Sequence, residues 1–502
     1  MEFRCRGRRV TPRGPILGAG ERLEDRHLLA TFLVTNLLDA GAGSLRDAVS
    51  QANEAVGADT IRFAQALAGT IVLATGQLDV VGNLFVDGPG AARLAVSGND
   101  SSRIFALKGP DSRLSIDDIT LSDGRATDLE AVGPGLVRGG AIRNDGGTLL
   151  LARVTFTGNR AFSDPSQPGA AAIVGGGAVV NSSGAILRAS DCTFIGNMAE
   201  GGTRYAFGGA VANVTDARAF LTRCTFTGNS ATGPTAGHGG AVGNFGASLL
   251  VVEQGSFAGN EARGADGSEA PATGGAIATR PGTVSTSGSR TTITAAQFRG
   301  NRAISAGGNA SGGALASVDS SLTVSRGGFV ANEAIAGGAG QASGGAIDAS
   351  SLFGDVSPIT RLGGCRFESN QAVGGVGGFA IGGACANAEG TMTIDRTSFI
   401  GNVARLPSQA LPGSAGASPS SGAYGGAISN GSTPVSSGGA VATLVLRSSN
   451  VSRNHAVAGV AGTAAAGGLF NGNLAPGTSP VVRTVASRFV GNTPPGFGTV
   501  PG

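Results

Sequence analysis

The chain has 502 residues, 88 of them Gly, with 41% apolar and only 14% charged residues; that mixture is too apolar for a disordered protein and lacks the every-third glycine of collagen. Its net charge of +3 is carried by residues 1–26, where seven Arg face four acids, so the rest of the chain is balanced. A balanced body has no electrostatic footprint for nucleic acid or an anionic membrane, and no apolar run reaches the length of a membrane-spanning helix.

Residues 1–30 are predicted to be a basic leader or sorting segment, disordered or cleaved. Within it "LEDRHLLA", residues 23–30, resembles the Leu-Glu-Pro-Arg-x-Leu-Leu sorting motif of planctomycete-type surface proteins, with Asp25 in place of Pro. The resemblance implies an exported protein, extracellular or on the cell surface. Residues 31–138 are predicted to form an N-terminal cap and about three first coils. In "GSLRDAVSQAN", Ser44 with Asp47 makes a capping start, and Leu45, Ala48, Val49 and Ala52 share one helical face. Such a short helix would cover the open end of a stack of strands.

From 139 to 492 the sequence repeats. A "GGA" plus an aliphatic precedes a Phe–x–x–Asn mark in ten units of roughly 31 residues. The first column is Phe156, Phe194, Phe226, Phe257, Phe298, Phe329, Phe367, Phe399, Val451 and Phe489. The second is Asn159, Asn197, Asn229, Asn260, Asn301, Asn332, Asn370, Asn402, Asn454 and Asn492, and Ala follows two residues later in all units but the last. Around each Phe the apolar and polar positions alternate, which argues short strands. A unit this small buries its Phe only against the next, so the predicted fold is all-β: a right-handed parallel β-helix of about thirteen coils with a capping helix. Asn is expected at the sharp turn because it tolerates left-handed backbone and its amide can donate and accept along a ladder. The segments between each Asn and the next "GG" are expected to be loops. The tail, 493–502, contains "TPPG" and would blunt the last edge.

The pairing of "GGA[ILV]" with "FxxN" resembles the polymorphic outer membrane protein family, whose passengers are adhesin-like β-helices, and "FLVTNLLDAGAGSLRDAVSQAN" is similar to the cap of bacterial extracellular β-helix proteins. That resemblance implies a non-enzymatic structural or adhesin-like role, with any binding through coil faces and inter-coil loops. The alternative is a carbohydrate-active β-helix enzyme, a polysaccharide lyase or hydrolase.

No catalytic, cofactor-binding or metal-binding residue stands out, and no cofactor is expected. Asp117 and Asp118 are strand neighbours that should point to opposite faces, and His27, His238 and His455 are scattered. A carboxylate cluster with a basic residue in a groove would favour the enzyme; flat Ser/Thr/Asn ladders would exclude it. Cys192 and Cys224 are one coil apart at one position, a spacing compatible with a disulfide or with two buried thiols. Expected partners are cell-surface or matrix glycans or proteins, with no nucleic acid and no transmembrane helix, the chain acting as a monomer.

Overall fold

The computed structural model describes residues 29–127, 136–164, 166, 172–282, 288–351, 358–407, 421–431, 441–458, 463–472, 479–494 and 497–499. Apart from Leu29 and Ala30, the leader and its sorting motif lie outside them, with Cys5 and His27.

The chain winds as a right-handed parallel β-helix, with strands in five parallel sheets of 14, 13, 13, 10 and 10. Three sheets enclose the core. A broad face holds five-residue strands such as Arg113–Asp117 and Thr148–Ala152. A Phe face holds three-residue strands such as Thr155–Thr157, and a glycine face follows each "GGA", as in Ile142–Asp145. On the broad face Leu114 and Ile116 point inward while Arg113, Ser115 and Asp117 point out, the alternation of a half-buried strand.

The Phe column is a continuous stack. From Phe156 to Phe399 successive rings lie 4.6–4.9 Å apart and within 9° of parallel. Val451 continues it, and Phe489 is only partly buried at the open end. Each motif Asn is buried, and each up to Asn454 donates Nδ2 to the Oδ1 of the next coil's Asn, at 2.9 Å from Asn159 to Asn197 and from Asn197 to Asn229. The same amide also reaches a carbonyl of the coil before, as from Asn229 to Phe194 at 3.0 Å. One expectation is corrected here. The left-handed residue is the one before Asn, Gly158 at φ 63° or Ser369 at φ 54°, so Asn is selected for its amide and not for its backbone.

A second Asn column, not recognised in the sequence, closes the glycine face: Asn144, Asn181, Asn213 and Asn244 are linked in turn at 2.8 Å. It ends on hydroxyls, Asn244 Nδ2 meeting Thr291 Oγ1 at 3.1 Å, and restarts at Asn387, Asn430 and Asn471. The acceptor oxygens left without a partner, on Asn144 and Asn387, are the heads of the two runs.

The segments expected to be loops are largely strands. Arg160–Ser163 and Ile173–Gly175 belong to two further sheets that pack on each other as a fin beside the core, joined by small residues such as Ala161, Val174, Ala199 and Ala206. This explains the Ala two residues after Asn: a larger side chain would hold the two layers apart. The second glycine of "GGA" answers a similar need. A Cβ on Gly177 would lie 2.1 Å from the Gly209 carbonyl oxygen of the next coil.

The cap forms as predicted. A helix spans Leu45–Glu54, Ser44 Oγ accepts from the Asp47 N–H at 3.1 Å, and Leu45, Ala48, Val49 and Ala52 are buried. At the other end Phe497–Thr499 pairs in parallel with Leu469–Asn471, so the tail adds a strand to the stack. Cys192 and Cys224 are neighbouring buried thiols, not a disulfide. The adjoining Cys224 thiol and burial push the Cys192 thiol well above its ordinary range, and each Sγ donates to a backbone carbonyl.

Candidate active site

The broad face dips between two outward Phe residues. Phe85, Ser115, Leu150, Arg188 and Phe220 follow one another in register, spanning four coil steps, about 19 Å at the usual strand spacing. The neighbouring row runs Asp117, Ala152, Ser190 and Thr222. Between the bulkier Phe85 and Phe220, these residues floor an open groove of about 450 Å³. Arg188 lies 4.3 Å from the centre of the Phe220 ring, fixing a cation against an aromatic face at one end.

One edge of the groove is charged. The strand Arg113–Asp117 ends at Asp117, and Asp118 adopts φ 48°, turning the chain sharply. Arg153 occupies the equivalent turn of the next coil with φ 52°. Its guanidinium bridges both acids: Nε donates to Asp118 Oδ2 at 2.9 Å and Nη2 to Asp117 Oδ2. The expectation that these two aspartates face opposite sides is therefore corrected. It assumed a strand that continues, whereas the strand stops between them. The next two turns carry Asp191 and Arg223, joined through both carboxylate oxygens at 2.7 Å. The result is a ladder of alternating charge beside the groove: Asp118, Arg153, Asp191, Arg223.

Within this ladder Asp117 differs from its neighbours. Burial raises its carboxyl above the ordinary range, Arg153 works against that rise, and Asp118 adds to it. Its Oδ1 is buried without a hydrogen-bond partner, an arrangement that favours a proton on the carboxyl. A carboxyl of raised pKa next to a second carboxylate is the pairing that glycosidic bond cleavage uses. Among the described residues no group of three or more His, Cys, Asp and Glu is arranged to hold a metal ion. Sequence reasoning named Asp117 and Asp118 but missed Arg153, whose signal is the turn position it shares with Asp118 one coil earlier. His238 is buried on the strand Ala236–His238.

No protein-family model and no curated protein matches the chain. Among solved structures, it is similar to the catalytic domain of GH87 alpha-1,3-glucanase in complex with tetrasaccharides, at 11% identity and TM-score 0.39, covering 93% of this chain and 68% of that one. It is also similar to a mannuronic acid specific polysaccharide family 6 lyase from human gut microbiota, at 9% identity and TM-score 0.33, covering 91% and 82%. The A-module of the Azotobacter vinelandii mannuronan C-5 epimerase AlgE6 matches at 12% identity and TM-score 0.31, covering 91% and 99%. These likenesses are of fold.

The expectation of a non-enzymatic, adhesin-like role is corrected by the chain's own geometry: a carboxylate cluster with a basic residue beside a groove, the mark set above for the enzyme reading, is present. The site residues for any chemistry of this chain come from its own groove. There Asp117, Asp118 and Arg153 are the residues brought together at its edge.

Proposed function

We propose that the chain is a carbohydrate-active β-helix enzyme that binds a polysaccharide along the broad-face groove and hydrolyses it there. The observation that carries this reading is the Asp117–Arg153–Asp118 cluster at the groove edge, a carboxylate pair organised by one guanidinium. In this reading Asp117 protonates the departing glycosidic oxygen. Asp118, held by Arg153, supplies the second carboxylate, and Arg153 steadies both. Phe85 offers an apolar face to a sugar ring at one end of the groove and the Arg188–Phe220 stack a cation at the other, while Ser115, Ala152 and Ser190 leave room for the chain.

The test is a panel of neutral and acidic polysaccharides incubated with the protein, with new reducing ends measured. The native chain should release them from at least one member, and Asp117→Asn should release at least about a hundredfold fewer, the usual weight of a general acid. Equal release by Asp117→Asn would remove the groove from the reaction.

The "GGA" and "FxxN" recurrence supports a relationship with the polymorphic outer membrane protein repeats, and "LEDRHLLA" supports export to the cell surface or medium. Cell fractionation with an antibody to the solenoid tests the location: recovery in the cytoplasmic fraction alone would contradict it.

A further inference from the structure

The fin packs on the glycine face at a second corner, away from the broad-face groove. Four successive coils place Arg138, Gly175, Phe207 and His238 in one register row on the fin. Opposite them the glycine face presents Val214, Phe245 and Arg280, also in register. Gly175 and Gly243 leave the space that the Phe207 ring fills, because a Cβ on either would come within 2.7 Å of it. Tyr205, half-buried, packs across this corner with its ring 5.7 Å from that of His238 and 6.1 Å from that of Phe207. Phe245 closes the floor, 5.9 Å from His238.

The charges here are unusual for so apolar a corner. Arg280 Nη1 contacts His238 Nε2 at 3.0 Å, and His238 Nδ1 lies 2.7 Å from Thr273 Oγ1. A neutral ring with its proton on Nδ1 satisfies both contacts, so His238 accepts from the arginine and offsets none of its charge. Among the described residues no carboxylate pairs with Arg280, and the nearby Asp319 accepts from Ser351 Oγ at 2.6 Å. Arg138, at the upstream end of the row, has its Nε buried with no partner, and its opposing charge, Asp145, is itself paired with Arg143 at 3.1 Å. Arg138, Arg204 and Arg280 all act on the Tyr205 phenol. Two half-buried guanidiniums, neither in a salt bridge among the described residues, therefore flank an aromatic shelf, four coil steps or about 19 Å apart along the axis. A half-buried guanidinium with a donor left unpaired, or paired only to a neutral ring, is costly unless a ligand supplies an acceptor.

We propose that this corner binds an acidic polysaccharide, with carboxylate or sulfate groups on Arg138 and Arg280 and a sugar face on Tyr205. The site is separate from the broad-face groove and does not depend on the chemistry proposed there. Planar guanidiniums suit paired oxygens, and the phenol ring suits the apolar face of a pyranose. Because the row continues along the solenoid, a polymer has room to lie along it where a monosaccharide would occupy one coil.

Isothermal titration of the full chain with polygalacturonate, dextran sulfate and neutral dextran tests this. The native protein should bind one or both acidic polymers and ignore dextran, and the stronger of the two identifies the anion. Arg280→Gln and Arg138→Gln should each weaken binding at least tenfold while circular dichroism remains that of a β-solenoid. Arg138→Gln, at the end of the row, keeps the test decisive if Arg280→Gln fails to fold. Asp117→Asn should bind as the native chain does. Unchanged affinity in the Arg138→Gln variant, or equal binding of dextran, overturns the proposal. So does loss of acidic-polymer binding in Asp117→Asn, which would place the ligand in the broad-face groove.

Discussion

Asp118 and Arg153 stand at the same turn of consecutive coils, both with left-handed backbone, and pair at 2.9 Å. Through that pair Arg153 also reaches Asp117 and restrains the rise that burial imposes on its carboxyl. Arg153→Gln removes the restraint. Asp117 should then keep its proton to higher pH, and the alkaline limb of the kcat/KM profile should move upward while overall activity falls. A limb that stays in place would mean that the titration belongs to another group. Asp118→Asn should act in the opposite sense on the limb, since Asp118 adds to the rise.

Asp348 provides a stability switch away from the broad-face groove. It is fully buried, accepts from Ser343 Oγ at 2.5 Å and Ser350 Oγ at 2.9 Å, and burial raises its pKa from 3.8 to about 6. A raised acid stabilises the fold fully below its unfolded value, and that contribution is lost as pH climbs through the folded one. The shift corresponds to about 3 kcal/mol. Asp348→Asn should therefore gain on the native chain by about that amount between pH 3.5 and pH 8, read from chemical denaturation at each pH. A constant difference would refute the assignment.

The two columns of the motif differ in what their loss costs. Phe226 lies between Phe194 and Phe257 with ring centres 4.6 and 4.7 Å away, so Phe226→Ala should cost about 3–5 kcal/mol by opening a cavity. Asn229 Oδ1 accepts from both the backbone N–H and the Nδ2 of Asn197, at 3.0 and 2.9 Å. Asn229→Ala leaves both donors buried and unpaired, as well as the Phe194 carbonyl that Asn229 serves, at about 1–3 kcal/mol for each group. Denaturation should therefore find the smaller substitution at least as damaging as the larger.

Two glycines with almost the same φ should respond oppositely to substitution. Gly208 has φ 61°, and a Cβ there would lie 2.2 Å from the Val211 carbonyl oxygen. Gly196 has φ 59° with nothing within 4 Å of such an atom. Gly208→Asn should prevent folding, whereas Gly196→Asn should cost about 1 kcal/mol. Soluble expression and thermal melting distinguish them. The sequence already makes the comparison, because Ala331, Ser369 and Arg453 occupy the Gly196 turn position in other coils.

The repeat made the solenoid, its cap and the Phe stack legible, because stacking demands the same residue at the same interval. The fin was not legible: its strands are short and built from Ala, Gly and Ser, so no hydrophobic alternation marks them. The second Asn column was visible in "GGAIRN" and "GGAVVN", but it lapses at Thr279, Ser317 and Ala349, which hid its regularity. The candidate site was half legible. Asp117 and Asp118 are adjacent in sequence, but their meeting at Arg153 depends on a single left-handed residue ending the strand. The arginines of the second corner come from separate coils and different sheets, and only the register brings them together.

Both Asn columns are one-way. In every link the upstream amide gives its hydrogen to the downstream oxygen, from Asn159 to Asn197 as from Asn144 to Asn181. Each completed turn thus leaves an N–H waiting for an acceptor that only the following turn can bring, and hydrogen bonds aligned in this way reinforce one another. The growing end is the later one in the chain. A nascent polypeptide emerging amino-terminus first could wind onto its own finished portion, each coil serving as the template for its successor.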